Sequence, residues 1–451
     1  DDSRRMHNKL VSSGCTSELV EAEGMWHAYV LYCIKERACD LDRINAFLNR
    51  FLSHERKLRW MRLDNAAKIY PAAKRRKWNN FFRLSATLCD EVDKTVLRNA
   101  MDVTMRRFPS IAVRLCRGAF WYYLEELSSA PEITDEKSWP LAHTPFESIN
   151  ECALRVIVYK NRIAVEFYHA LTDGTGGMVF LKSLLAEYIE QKYGVEIPNE
   201  CGVLDRLTQP QEEELEDSFS KNAGSVSVSR NASTAFKIHY TPERDDFRHL
   251  TTFILDSNAA LAAAKSCGVS LTVYLTSAML LALQRIQDEQ TPDKRRQKPI
   301  RVVVPVNLRR LFPSRTLRNF VHVIMPEIDP RMGDYEFSEI LTSVKHQLGL
   351  LVTKKNLCAM FTPNVNAERS PLLRVMPLFL KNIAMKLVYD TVGERTNCLN
   401  LSNLGDIKVP DAMRRYVTRF DFILGVQATK PNNCGVLSYN GKLYMNFIRN
   451  T

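Results

Sequence analysis

One stretch near the middle of the chain constrains the fold more than any other. Residues 153–159 and 162–168 alternate apolar and polar side chains around Lys160-Asn161, which predicts a β-hairpin. The two-residue period of a strand places four residues on one face of the second strand: Ile163, Val165, Phe167 and His169. His169 therefore continues an apolar row at the end of a strand.

A tight turn and a helix follow this histidine. Asp173-Gly174 is typical of a turn, and Gly176-Gly177 allows a close backbone approach. Apolar residues then recur at helical spacing, namely Leu181, Leu184, Leu185, Tyr188 and Ile189. We predict a helix to about Tyr193 that ends at Gly194. A histidine on a rigid strand end beside an acidic turn is a candidate general base; a hydrogen-bonded core histidine is the competing interpretation.

The charge of the chain narrows the class of partner. The net charge of +11 favours anionic partners, which include phosphate-bearing cosubstrates and an acidic membrane surface. The sequence has neither a Gly-rich phosphate loop nor an RNA- or DNA-binding signature, so nucleic acid is not a predicted partner. The basic run at residues 294–298 is a candidate for coenzyme A phosphates, with an exposed surface loop as the alternative.

The cysteines indicate a reducing compartment. The eleven cysteines are scattered, odd in number and free of C-x-x-C pairs, so we expect no structural zinc and no metal site. We found no secretory leader, and we therefore predict a cytoplasmic protein. The uncharged run at residues 269–284 is short for a span and predicts a buried helix, so no transmembrane segment is expected.

The length of 451 residues predicts two domains or large lobes. We divide the chain into a helical N-terminal extension (1–57), a first lobe (58–206), a linker or crossover poor in periodicity (207–245) and a second lobe (246–451). Each lobe combines strands with helices, and the last strands are expected to form a meander. The predicted fold class is α/β, an α+β sandwich architecture that is doubled.

The segment HALTDG at residues 169–174 resembles the H-x-x-x-D-G motif of the acyltransferase superfamily with the chloramphenicol acetyltransferase-like fold. That superfamily includes condensation domains of peptide synthetases, plant acyl-CoA transferases and alcohol acetyltransferases. Three further segments resemble the alcohol acetyltransferase branch: RLDNAAKIYP (62–71), PVNLR (305–309) with LRNF (317–320), and LSNLG (401–405). Together the matches cover roughly residues 60–450.

Departures from the superfamily patterns select among its branches. Condensation domains usually carry two adjacent histidines, whereas Tyr168 precedes His169 here. The plant motif D-F-G-W-G is represented only loosely by DFILG at residues 421–425. Both departures favour the alcohol acetyltransferase branch. The family fold commonly ends in a helix after the last strand, so we expect the C-terminus at Thr451 to be truncated.

The resemblance implies two lobes with an active-site channel between them, and transfer of an acyl group from a coenzyme A thioester to an alcohol. His169 is then the catalytic base. Asp173 and Gly174 are structural, and Asp173 pairs with an arginine, for which Arg309 is the first candidate and Arg318 the second. Asn403, Ser402 and Asn307 are candidates for oxyanion or substrate contacts, with ordinary strand-end hydrogen bonding as the alternative.

We therefore predict an acyl-CoA:alcohol O-acyltransferase with no permanently bound cofactor. Its cosubstrates are acyl-CoA, such as acetyl-CoA, and a small-molecule alcohol. An alternative donor within the superfamily is the phosphopantetheine arm of an acyl or peptidyl carrier protein. The alternative from a different class is a non-catalytic binding protein of the same fold.

Overall fold

The structure is a computed structural model, and it describes residues 2–13, 17, 58–73, 80–143, 145–228, 233–244, 247–427 and 430–450. The chain divides into two compact units, Asp1–Lys57 and Leu58–Thr451. In the first unit the described residues contain one helix, α1 (Asp2–Ser12). The other residues of the predicted extension lie outside the described part.

The strands that the structure describes in the second unit form three sheets. The strands are β1 (Trp60–Arg62), β2 (Phe81–Leu88), β3 (Val113–Arg117), β4 (Tyr122–Glu126), β5 (Ile133–Asp135), β6 (Leu154–Tyr159), β7 (Arg162–Tyr168), β8 (His249–Asp256), β9 (Ile300–Asn307), β10 (Val321–Ile324), β11 (Glu327–Ile328), β12 (Leu399–Asp406), β13 (Val417–Ile423), β14 (Asn432–Tyr439) and β15 (Lys442–Arg449). Their orders are β1-β4-β3, β13-β2-β7-β6-β5 and β10-β9-β12-β14-β15-β8, with β11 also paired to β9.

Helices cover the sheets. They are α2 (Ile69–Ala72), α3 (Lys94–Arg107), α4 (Phe146–Glu151), α5 (Gly174–Tyr193), α6 (Glu212–Leu215), α7 (Ser218–Asn222), α8 (Ser257–Ser266), α9 (Leu271–Gln290), α10 (Phe337–Leu351), α11 (Lys354–Arg369), α12 (Pro371–Val375), α13 (Leu378–Val388) and α14 (Asp411–Arg414). Short 3₁₀ turns lie at Lys294–Arg296, Leu308–Arg310 and Pro330–Met332, and a π-helix at Tyr389–Glu394 continues α13. The mixed architecture confirms the predicted α/β fold class.

The largest sheet separates two hydrophobic cores. Side chains alternate along β14, so Val436 faces the second core while Leu437 and Tyr439 face the first. The same alternation on β15 places Leu443 in the second core and Tyr444 in the first. The two cores therefore share the strands of one sheet.

The prediction of a terminal meander is wrong for its first strand. β13 pairs antiparallel with β2 and joins the five-stranded sheet of the first half, whereas β14 and β15 pair with each other. The strand pattern carries no information on the partner, because β13 contains both apolar and charged residues, such as Phe420 and Asp421, and this composition suits either sheet. The lobe boundaries at 206 and 246 stay predictions. One strand from beyond residue 246, β13, lies in the five-stranded sheet, whose other strands come from residues 81–168.

Local capping chemistry explains why the helices begin and end where they do. The Asp93 carboxylate accepts from Thr95 and Val96 at the start of α3, and the Ser270 hydroxyl accepts from Val273 at the start of α9. Gly194 ends α5 in the left-handed conformation at φ 66°. The predicted caps at Ser270 and Gly194 are thus present. The helix expected near residues 372–388 is divided at Pro377, which lacks the N–H that a continuous helix needs.

No single helix among the described residues has both the length and the apolar character needed to cross a membrane. One bent pair, Ser257–Ser266 with Leu271–Gln290 at 80°, meets the criterion jointly by length and composition alone. Most of the apolar residues of α9 instead serve the second core, such as Val273 and Leu280. Within the described ranges, no group of three or more His, Cys, Asp or Glu side chains is placed to bind a metal ion.

The contact between β13 and β14 gives a stability prediction. A Cβ at Gly435 would lie 2.2 Å from the backbone oxygen of Phe422, so Gly435→Ala forces the two sheets apart and is expected to destabilise by about 1–3 kcal/mol. Gly349→Ala is the matched control, because Gly349 is exposed in α10 with no neighbouring atoms within 4 Å, and alanine there adds about 0.5–1 kcal/mol. Urea unfolding of both variants measures the difference; equal midpoints would contradict the close approach.

Candidate functional site

The end of β7 holds His169 in a fixed backbone position. β7 ends at Tyr168, and the next backbone amide, that of His169, donates to the carbonyl of Asn80 at 2.9 Å. β2 begins one residue after Asn80 and pairs with β7, so both strands hold the backbone at His169 in place. A side chain placed by two paired strands has little freedom, as a catalytic base requires.

Aromatic rings enclose the imidazole of His169. Tyr70 of α2 stacks on it with ring centroids 4.7 Å apart and planes 16° apart, and Phe82 meets it edge-on at 5.0 Å. The side chain remains partly accessible. Burial among these rings lowers the pKa of His169 from its ordinary value, because desolvation disfavours the charged imidazolium. The ring is therefore neutral at physiological pH.

Asn319 determines which nitrogen of that neutral ring carries the proton. The Nδ2 group of Asn319 donates to the His169 carbonyl at 3.0 Å and to the Asp64 carboxylate at 3.2 Å. Both of these groups are acceptors, so the amide cannot be flipped without losing two hydrogen bonds. Its Oδ1 consequently faces His169 Nδ1 at 3.2 Å, and Nδ1 must be the donor. The lone pair of the imidazole is left on Nε2.

Asp64 completes this chain of contacts and is fully buried. Its carboxylate accepts from the backbone amides of Ala67 at 2.7 Å and Asn319 at 3.3 Å. Burial raises the pKa of Asp64 to about 6, although the neighbouring Arg318 guanidinium opposes the shift. Asp64 thus holds the Asn319 amide in the orientation that His169 needs.

The Asp173 carboxylate accepts four hydrogen bonds and does not contact the imidazole through any of them. Oδ1 accepts from the amides of Thr175 and Gly176, both at 3.0 Å, which caps α5. Oδ2 accepts from the Phe320 amide at 2.9 Å and from Arg309 Nη1 at 2.8 Å. Asp173 therefore ties the start of α5 to the segment between β9 and β10.

The structure places the two candidate arginines differently. Arg309 contacts Asp173 and also donates through Nη2 to the Arg318 carbonyl at 2.5 Å. Arg318, the second candidate, lies instead against Asp64, with its Nε 3.8 Å from the Asp64 carboxylate, and has no ion pair with Asp173. Two arginines nine residues apart thus serve two different carboxylates, which residue spacing alone does not reveal.

Gly174 lets the two halves of the chain approach closely. A Cβ at this position would lie 2.7 Å from the Cδ2 atom of Leu404 in β12. Next to it, the Thr175 hydroxyl accepts from Asn307 Nδ2 at 3.1 Å. One of the two N–H groups of the Asn307 amide is used in this contact, and the Thr175 hydroxyl keeps its own proton available for a ligand.

A cavity of about 860 Å³ joins these residues. Its wall includes both halves of the chain, and the sequence-predicted residues on it are His169, Asp173, Gly174, Asn307, Ser402 and Asn403. The Asn403 side chain donates to Thr272 Oγ1 at 3.3 Å and accepts from the Gly405 amide at 2.8 Å. For the Ser402 hydroxyl, we find no hydrogen-bond partner among the described residues, so it is the more available donor.

Another part of the cavity wall carries a buried lysine. Lys430 Nζ lies 3.4 Å from Asn400 Oδ1. Asn400 precedes Leu404 by four residues in β12, a distance of about 13 Å along the strand. Burial lowers the pKa of Lys430 to about 7, the nearby Lys237 ammonium lowers it further, and the Glu394 carboxylate opposes the shift. The cavity therefore has a basic region at a distance from His169.

Other predicted binding residues lie away from the cavity. None of Lys294, Arg295, Arg296 and Lys298 lines it. Lys294 instead pairs with Asp288 at 2.7 Å and with Asp334. Residues 294–298 therefore fit the alternative that we gave for them, an exposed surface loop.

Sequence reasoning missed several residues around the histidine. Tyr70, Asp64 and Asn319 lie in segments that the resemblance already included, yet no role was assigned to them. Asp64 and Tyr70 lie in one segment and Asn319 in another, each about 100 or more residues from His169 in sequence, and only folding brings them together. Thr175 was missed although it directly follows Asp173-Gly174.

Comparison with known proteins identifies the architecture. No family model matches the chain, and no curated protein matches it in sequence. Solved structures do match it over 87% of its length. Polyketide synthase associated protein 5 from Mycobacterium tuberculosis is 13% identical with a TM-score of 0.52, and the match covers 93% of that chain.

Two further solved structures match in the same way. A starter condensation domain of rhizomide synthetase in complex with C8-CoA and Leu-SNAC is 11% identical, with 89% of that chain covered and a TM-score of 0.52. Trichothecene 15-O-acetyltransferase from Fusarium sporotrichioides is 13% identical, with 91% covered and a TM-score of 0.50. The chain has the chloramphenicol acetyltransferase-like fold. This confirms the predicted fold, while the alcohol acetyltransferase-like subtype stays a prediction.

The four contacts of Asp173 predict the effect of its amide variant. Asp173→Asn turns an NH₂ group toward donors and leaves Arg309 without its charge partner, at a cost of about 3–5 kcal/mol. We expect a large loss of melting temperature or of soluble protein. Asp93→Asn is the control, since Asp93 caps α3 through Oδ1 alone and asparagine caps equally well. A fully stable Asp173→Asn protein would contradict a structural role.

Proposed function

We propose that the protein is an acyl-CoA:alcohol O-acyltransferase of the alcohol acetyltransferase-like type, with His169 as general base. The observation that carries the proposal is the imidazole itself. It is neutral, its Nδ1 is held by Asn319, and it lines a cavity between the two halves of a fold found in acyl-transferring enzymes. The unprotonated Nε2 is then the atom that receives a proton from a substrate.

The proposed reaction is direct attack in a ternary complex. The alcohol oxygen bonds to the thioester carbonyl carbon as Nε2 of His169 takes the hydroxyl proton. The resulting tetrahedral oxyanion needs hydrogen-bond donors, for which the Ser402 and Thr175 hydroxyls are the available candidates and Asn403 a third. The intermediate then collapses, the carbon–sulfur bond breaks, and the coenzyme A thiolate takes the proton back from the imidazolium. Neither a covalent acyl-enzyme nor a permanently bound cofactor is required.

Incubation of the full chain with acetyl-CoA or octanoyl-CoA and a panel of alcohols tests the proposal. Ester should be followed by mass spectrometry, because the exposed Cys89, Cys201 and Cys267 thiols react with thiol reagents. His169→Ala should lower ester formation by about 10²–10⁴-fold. His346→Ala, at an exposed histidine of α10, is the matched control and should leave it unchanged.

The outcomes separate the alternatives. Equal rates for the wild type and His169→Ala would refute His169 as the base. Ester formation only with an acyl group loaded on a carrier protein would favour the condensation-type donor. Coenzyme A binding without product from any donor would favour a non-catalytic binding protein.

The lowered pKa of His169 predicts the pH profile. A general base works when it is unprotonated, so activity should persist below pH 6.5, the ordinary pKa of histidine, and fall only when the shifted pKa is passed. Because burial also raises the pKa of Asp64 to about 6, the acid limb should be assigned by NMR titration of the His169 ring. An imidazole pKa above 6.5 would contradict the desolvated ring.

The Asn319 contact predicts a loss of rate with a spectroscopic signature. Asn319→Ala frees Nδ1 of His169, so both imidazole tautomers should appear in ¹⁵N NMR spectra and the rate should fall by about 10²-fold. Asn356→Ala removes a partly buried amide hydrogen bond in α11, away from the cavity, and is the control. An unchanged single tautomer in Asn319→Ala would show that another contact orients the ring.

A further inference from the structure

Helices α12 and α13 present large apolar side chains to solvent. Six of these side chains are 56–70% exposed: Leu372, Val375, Phe379, Ile383, Leu387 and Val388. We call this set the docking face. Monomeric soluble proteins rarely expose a continuous apolar surface of this kind, and such a surface marks a site of interaction.

The opposite side of α13 is fixed to the protein. The Leu378 amide donates to the Ala119 carbonyl at 3.0 Å, and buried Lys381 donates to the Phe120 carbonyl at 2.9 Å. The Lys381 ammonium also lies 3.6 Å from the centroid of the Trp121 ring. The helix is therefore firmly seated, and Phe379, Ile383 and Leu387, at i, i+4 and i+8, point away from the core by helical spacing.

Within the two helices of the docking face the charged residues are all basic, and the first acidic residue after them is Asp390 in the π-helix. Residues 370–389 contain no acidic residue, while Arg374 and Lys386 are exposed among the apolar side chains. The neighbouring β3–β4 hairpin adds exposed Arg117 and Phe120, which is 47% exposed. An exposed helical face of aliphatic and aromatic side chains with basic residues suits an anionic lipid surface, where the apolar groups insert and the cations meet headgroups.

We propose that the docking face binds the protein peripherally to an anionic membrane surface, with α13 lying in the plane of the interface. The chain's net charge of +11 assists this association at long range. No helix needs to cross the bilayer for this mode of binding.

The docking face lies next to the cavity. α13 packs against α2, whose Tyr70 stacks on His169, and the π-helix that continues α13 supplies Tyr389 and Gly393 to the cavity wall. A docked protein would hold its cavity near the lipid surface. If the proposed acyl transfer holds, the acceptor is then an amphiphilic alcohol with an apolar chain; the docking itself does not depend on that reaction.

Vesicle sedimentation of the full chain tests the proposal. We expect the wild type to bind vesicles of phosphatidylcholine with phosphatidylglycerol, to bind pure phosphatidylcholine more weakly, and to be released by high salt. The double variant F379S/I383S should lose at least about tenfold in partition coefficient. Arg374→Gln should lose about fivefold on the anionic vesicles. M332S/L350S, which removes two side chains that are 81% and 76% exposed elsewhere, should bind as the wild type does.

Each other outcome overturns the proposal. Absence of sedimentation, or equal loss in F379S/I383S and M332S/L350S, would refute docking through this face. A dimer in light scattering that F379S/I383S dissociates would assign the face to a second copy instead. Melting curves of all variants confirm that the substituted proteins are folded. Because vesicle binding needs no substrate, its failure is distinguishable from a failure of ester formation.

Discussion

The Asp173 carboxylate holds together the elements on which the candidate site depends. Two of its hydrogen bonds begin α5, and the other two reach Phe320 and Arg309, which belong to the second half of the chain. A buried carboxylate with four donors is stable only when all four are in place, since each lost donor leaves part of its desolvation uncompensated. The Asp173 side chain therefore fixes the start of α5 against the segment between β9 and β10, together with the Asn307–Thr175 hydrogen bond. His169 lies four residues before Asp173, so the same clamp limits where the imidazole can be.

The surroundings of His169 then decide what the imidazole can do. Desolvation by Tyr70 and Phe82 keeps it neutral, and Asn319, oriented by Asp64, keeps the Nδ1 proton. These contacts act on the protonation state and on the tautomer, whereas Asp173 acts on the backbone frame. The histidine–aspartate pair of the motif is thus divided into two separate roles. In this arrangement no carboxylate orients the imidazole directly; an amide does, through a neutral hydrogen bond.

Much of the local structure follows from residue patterns. The hairpin of β6 and β7, the helix that ends at Gly194 and the Ser270 cap were predictable because the period of apolar residues and the capping chemistry act within a few residues. The partner of β13 was not predictable, because the residue pattern of a single strand does not specify which sheet it joins. Likewise, Arg309 and Arg318 occur in similar basic contexts, and their different carboxylate partners depend on distances between segments that are more than 100 residues apart.

By itself, the sequence determined that a histidine ends a strand, that an acidic turn and a helix follow, and that the chain resembles acyltransferases of one fold. These features rest on local periodicity and on a short motif. Only the tertiary structure decided which nitrogen of His169 is free, which arginine meets Asp173, and that Ser402 and Thr175 share one cavity with the histidine. It also decided that the apolar residues of α13 face solvent rather than a core. The physical reason is that burial, pKa and hydrogen-bond direction depend on groups brought close by folding, and sequence separation does not encode that proximity.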